Sequence, residues 1–243
     1  MKQVLVMMTI AVFAGDAAAQ FQVAAIKPNR SGDPASTWKI SPGELVMRNI
    51  TLKQLVQIAY DVRDYSMSGP TWLDSERFDI NAKTPSEIAA TKDSQQRGVL
   101  FRGAMQALMA DRFKLVVHHE TRTVPAYALV VAKGGLKMKP VEMDGGWNET
   151  TNKGKLTATK MSMDRLGDWL GRRLDRPVVD KTNLKGVFSF ELEYSPEQNP
   201  PPDDFRPSIF TALQEQLGLR LQSQRLPVDI VVVDRVERVP TEN

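Results

Sequence analysis

GELVMRNITLKQL (residues 43–55) and GKLTATKMSMDRL (residues 154–166) carry one pattern 111 positions apart, and that match decides how the chain is read. Each predicts a glycine turn, a short strand, then a Thr or Ser that opens an amphipathic helix. Thr51 and Ser162 are the expected N-caps, because a hydroxyl there accepts from helix N–H groups that have no partner of their own. Gln54 falls three residues after Thr51, where its side chain completes a capping box. Leu52, Leu55, Val56 and Ala59 form one apolar stripe at helical spacing; Met163, Leu166, Leu170 and Leu174 form the other.

Outward from these stretches the order of elements is kept. RFDINAK (77–83) parallels VFSFELEY (187–194) as extended chain. AMQALMADRFKL (104–115) parallels ALQEQLGLRL (212–221), a helix that turns into a strand, with Gly218 as C-terminal cap. VPAYALVVAK (124–133) parallels LPVDIVVVDR (226–235), each with a proline at the strand start, where a missing N–H costs least. The apolar runs 127–131 and 230–233 read as strands buried on both faces. The offset drifts from 111 to 102, as in a diverged duplication. The expected fold is α+β: two related β-α-β-β-α-β-β halves with helices packed on mainly antiparallel sheets. The expected organisation is a signal peptide (1–19), a first half (20–134), a Gly/Lys-rich connection (135–153) and a second half (154–243). The proline cluster SPEQNPPPDDFRPS (195–208) reads as a loop within the second half.

The N-terminus, MKQVLVMMTIAVFAGDAAAQ, has a basic residue at Lys2, a short apolar stretch and small residues at 17–19, the pattern of a cleaved secretory signal. The apolar run falls short of the ~20 residues that span a bilayer. Export to the periplasm or beyond is therefore expected, with no transmembrane span after signal removal. The 243-residue chain has no cysteine, which excludes a disulfide framework, a thiol nucleophile and thiolate metal sites. Its net charge is +3, but between 164 and 185 the basic residues alternate with Asp164, Asp168, Asp175 and Asp180. Mixed signs mark a solvated face rather than a stripe that tracks phosphates, so no nucleic-acid partner is expected.

Motifs with chemical content each favour a structural role. Asp180-Lys181-Thr182 spells the start of a phosphoryl-accepting motif, but Asn183-Leu184 follows where Gly-Thr is needed. Such chemistry also requires a nucleotide and Mg²⁺. RPVVD (176–180) reads instead as a strand and KTNLKG as a turn, in which Asn183 and Gly186 supply positive φ. Ser36 and Lys39 have the spacing of a Ser-x-x-Lys pair, yet the stretch reads as extended, which points them to opposite faces. The only two histidines, His118 and His119, are adjacent on a strand and cannot share one metal. Trp72 and Phe78 are read as core anchors. Asp74, Glu76, Asp79 and Asp180 are the carboxylates that a hydrolase would have to use. No catalytic residue, metal ligand or cofactor is assigned.

FQVAAIKPN (21–29), GPTWLDSERFDI (69–80), LMADRFKLVVHHETRTVPAYALVVAKGG (108–135), RPVVDKTNLKGVFSFELEY (176–194) and the stretch from Ser208 to Asn243 together resemble the Solibacter paralogous family of exported acidobacterial proteins. Asn183 stands where that family usually has glycine. The resemblance implies a domain of unknown function that in some proteins is attached to membrane metallopeptidases of the antibiotic-sensor type. No site residues come with it. The function expected is a non-enzymatic extracytoplasmic module that binds a ligand or envelope protein, such as a membrane sensor-peptidase. A groove between halves or an exposed strand edge would be the binding surface. A secreted hydrolase is the alternative.

Overall fold

The computed structural model describes residues 20–21, 24–33, 35–196 and 205–241; the expected signal peptide lies outside them. The fold is α+β, and the chain divides into two compact units that interleave in sequence. One comprises the residues up to Val62, then Gly69–Val117 and the segment from Val233 on; the other comprises Arg63–Ser68 and His118–Val232.

The first unit contains β1 (Ala24–Pro28), β2 (Thr37–Ile40), β3 (Glu44–Thr51), α1 (Leu52–Tyr60) and, after the segment that carries β4 (Met67–Ser68), β5 (Arg77–Lys83), α2 (Ser86–Ala90) and α3 (Ser94–Arg112). Its sheet is antiparallel in the order β1-β5-β3-β2. Thr51 makes the expected capping box: its hydroxyl accepts from the Gln54 N–H at 3.0 Å, and Gln54 Oε1 accepts from the Thr51 N–H at 2.9 Å. All four residues of the α1 stripe are buried, and α1 packs on α3. Helix α3 starts at Ser94, ten residues before the expected Ala104. The extra turns contain Gly98 and Gly103 and bury only Phe101, so their pattern is weakly helical.

The second unit holds β6 (Val116–Val131), β7 (Pro140–Val141), β8 (Asn148–Asn152), β9 (Lys155–Met161), α4 (Met163–Gly171), β10 (Val178–Asp180), β11 (Val187–Glu193), α5 (Ile209–Ala212), a π-helical turn (Leu213–Leu217) and β12 (Leu219–Arg235). The first two residues of β6 and the last three of β12 belong to the first unit. One sheet is antiparallel in the order β7-β11-β9-β8. The other runs β10-β6-β12-β4, with β10 and β4 pairing parallel to their neighbours. Met163, Leu166 and Leu170 are buried as expected, and Leu174 is half-buried just past the helix end. Trp169, outside the expected stripe, is fully buried edge-on to Tyr194. Tyr65 ties its segment into this unit by donating to the Gly171 carbonyl at 2.6 Å.

Pro125 and Pro227 lie within β6 and β12 rather than at their starts. Both strands run longer than the sequence pattern indicates. The prolines are tolerated because β10 and β4 cover only Tyr127–Leu129 and Val231–Val232, leaving the outer edge beside each proline without a paired strand.

The two quoted stretches share an irregularity as well as a pattern. In β3, Met47 pairs with Ile80 and Ile50 with Phe78, so one extra residue is accommodated. In β9, Ala158 pairs with Phe190 and Met161 with Phe188, again with one extra residue. At each bulge a residue takes positive φ: Asn49 at 53° and Lys160 at 52°. Each bulged N–H is met by a side chain from the neighbouring strand, Asp79 Oδ1 at 2.9 Å and Ser189 Oγ at 3.1 Å. A bulge kept at the same point of the same strand pair is a designed feature of the fold.

Candidate functional site

The residues singled out from the sequence are engaged separately. Asp74 pairs with Lys53 at 3.2 Å and Glu76 with Arg238 at 3.6 Å. Asp79 accepts from the Asn29 side chain at 2.8 Å as well as from the Asn49 N–H. The Asn29 bond, then the Asn49 bond, lower the Asp79 pKa below the ordinary carboxylate range. Asp180 ends β10 and accepts from the Thr182 N–H at 2.8 Å, closing the expected turn in which Asn183 and Gly186 take φ of 58° and 87°. Ser36 lies 2.7 Å from the Asn49 carbonyl, to which it donates, whereas Lys39 sits on β2. His118 lies 3.7 Å from Glu120, and His119 Nδ1 lies 2.7 Å from Asp229 on β12. Phe78 is a core residue, packed edge-on to Phe113; Trp72 is only half-buried and lies under the Arg238 guanidinium at 4.7 Å. Among the described residues no group of three or more His, Asp and Glu side chains could hold a metal ion.

The four arginines between 165 and 176 are similarly committed. Arg165, Arg173 and Arg176 lie over the rings of Trp147, Trp169 and Tyr127 at 3.9, 3.8 and 4.9 Å. Arg172 pairs with Glu149 at 3.6 Å. In the three ring contacts a guanidinium stacks on an aromatic face, and the edges of Arg173 and Arg176 also donate to Thr151 Oγ1 at 3.1 Å and to Asp175 Oδ2 at 2.8 Å.

Two surfaces stand apart from this pattern of mutual engagement. The first is the edge strand β2 of the first unit, all four of whose residues are exposed. Trp38 is 53% exposed and Ile40 39% exposed, although alternate residues of a strand share a face and apolar ones normally turn inward. The indole is not loose: it stacks on Phe101 of α3 with ring centres 6.2 Å apart, and Phe21 meets Phe101 edge-on. The long strands of the second unit treat their edges differently. Away from β10 and β4 they carry His118, His119, Glu120 and Arg122 on β6 and Gln222, Gln224 and Arg225 on β12. Charged and polar residues on an edge discourage pairing with another chain. Strand β2 has Lys39 as its one charged residue and Thr37 as its one other polar residue.

The second surface is a cleft of about 260 Å³ in the second unit, lined by Ala132–Gly135, Lys137, Gln214, Glu215 and Arg220. Its floor is fixed by backbone bonds: Ala132 N–H donates to Gly218 O at 2.8 Å and Lys137 N–H to Leu217 O at 3.0 Å. Gly218 takes φ of 69° at the end of the π-helical turn, as its expected capping role requires. Any side chain there would collide with the Gly135 carbonyl. The sequence pointed to Gly218 as a cap, but not to the cleft, whose two walls are some 80 residues apart in the chain.

No helix among the described residues is long and apolar enough to cross a membrane. No curated protein and no solved structure matches the chain. A match over residues 26–236, which covers most of the sequence and runs through both compact units, is to the family described as Protein of unknown function (DUF3738). The chain belongs to the DUF3738 family.

Proposed function

We propose that the chain is an exported, non-enzymatic binding module that recruits a partner polypeptide along β2, in the manner of a sensor domain. The observation that carries this reading is the exposed Trp38–Ile40 face on a sheet edge, in contrast to the polar uncovered stretches of β6 and β12. An added strand would gain main-chain hydrogen bonds from the edge, and the indole would supply a rigid anchor of large area. The separate engagement of Asp74, Glu76, Asp79, Asp180 and both histidines supports recognition over bond-making. A likeness to the exported Solibacter paralogous proteins, some of them fused to sensor-type metallopeptidases, makes the outer domain of such a membrane protein the partner of choice.

The test uses chain 20–243 and the purified outer domain of a sensor-type metallopeptidase from the same bacterium. Binding should protect the β2 amides from hydrogen exchange, and Trp38→Glu should weaken it at least tenfold. Protection elsewhere with β2 unchanged, or wild-type affinity in Trp38→Glu, overturns the reading.

A further inference from the structure

The cleft beside the Lys133–Gly135 turn carries an inference independent of β2. Three cations, Lys133, Lys137 and Arg220, face one carboxylate, Glu215, so its walls hold a formal charge of +2. Lys137 is partly committed, since its ammonium donates to the Glu215 carbonyl at 2.5 Å. That bond, with the Lys137 N–H on the Leu217 carbonyl, occupies main-chain oxygens at the end of the π-helical turn. It thereby offsets the negative end of the helix, which would otherwise repel an anion. Lys133 has no hydrogen-bond or ion-pair partner among the described residues. Arg220 donates toward Gln222 when that amide is oriented to accept, and its fork retains further N–H groups. The backbone here is unusual too: a π-helical turn, Gly135 at φ of 81° and Gly218 at 69°. Single π turns recur at functional positions, and glycines let main chain approach a ligand closely.

We infer that this cleft binds a phosphate group, held by Lys133 and Arg220 above a floor that Lys137 and Gly218 keep rigid. A phosphate group is anionic at neutral pH, about −1.5 to −2 as a monoester and singly charged as the diester of a lipid head, so the walls can neutralise either. The planar fork of Arg220 suits two phosphate oxygens at once, and Lys133 acts as a point charge. The group could be borne by a soluble molecule or by a lipid head.

Calorimetric titration of chain 20–243 with inorganic pyrophosphate at low salt tests the site, and co-sedimentation with phosphatidylglycerol vesicles distinguishes the source. Pyrophosphate should bind, and Lys133→Ala with Arg220→Ala should weaken it at least tenfold. Lys27→Ala with Lys83→Ala, an equal loss of charge in the first unit, should leave binding unchanged. Co-sedimentation that disappears in the cleft variant assigns a lipid head, and pyrophosphate binding without co-sedimentation assigns a soluble ligand. The inference fails if neither probe binds. It also fails if the cleft variant binds like the wild type, or if the control variant loses as much affinity.

Discussion

Gly43 and Gly154 hold the same place in the two quoted stretches and accept the same bond, from the N–H of Thr84 at 3.3 Å and of Tyr194 at 2.8 Å. Only Gly154 takes positive φ, at 83°, and a side chain there would collide with the Tyr194 carbonyl; around Gly43 there is open space. Gly154→Ala should therefore lower stability by roughly 2 kcal/mol or more, and Gly43→Ala should stay within about 0.5 kcal/mol, as chemical denaturation will report. Asp79 and Ser189 form a second such pair, each meeting a bulged N–H. Asp79→Ala should cost about 1 kcal/mol after allowance for solvent screening, and Asp79→Ser should recover part of it. The Asp79 pKa is lowered in the folded state, first by Asn29 and then by the Asn49 N–H. Its contribution is therefore present above the unfolded carboxylate pKa of about 3.9 and lost as pH falls through the lower folded value. Melting curves of wild type and Asp79→Ser should accordingly converge in acid and separate above about pH 4. The glycines and the bulge partners were visible as letters, but nothing local distinguishes Gly154 from Gly43. The difference is made by the Tyr194 carbonyl, forty residues away in the chain.

The two equivalent helices are capped with different strength. Thr51 is buried and makes a reciprocal box with Gln54, whose Oε1 also lies 3.0 Å from Ser36 Oγ. Ser162 accepts one bond, from the Arg165 N–H at 3.3 Å, and the residue at the third helical position cannot return it. Thr51→Ala should cost about 1–2 kcal/mol and Ser162→Ala about 0.5 kcal/mol, measured as shifts in denaturant midpoint at constant m. This contrast was legible in advance, because a capping box is written within four residues. Strand ends were not. β6 and β12 run through their prolines because a paired strand covers only three residues of one and two of the other. No property of VPAY or LPVD announces where β10 and β4 will stop.

At the scale of the whole molecule, the two units interleave in sequence. The segment from Val233 on completes the first unit: Glu237 N–H donates to Phe113 O at 2.7 Å, Thr241 N–H to Arg112 O at 2.8 Å, and the buried Arg112 Nε to Thr241 O at 2.6 Å. Deleting residues 236–243 should destabilise that unit by about 2–3 kcal/mol, since it removes an acceptor from a buried guanidinium. The expected readout is a lower melting temperature with faster hydrogen exchange at Ala24–Pro28 and Phe113–Leu115; unchanged exchange there would show the tail to be dispensable. The sequence by itself determined the α+β class, the α1 stripe, the α4 stripe as far as Leu170, both caps and the strand–helix pattern of the two quoted stretches, because capping and periodicity are settled over a few consecutive residues. Only the tertiary structure decided which segments complete which unit, that Trp38 stays exposed on an edge, and that Lys133 and Arg220 share a cleft. Those outcomes depend on which distant strands and turns pair, and hydrogen bonds between residues far apart leave no trace in local spacing.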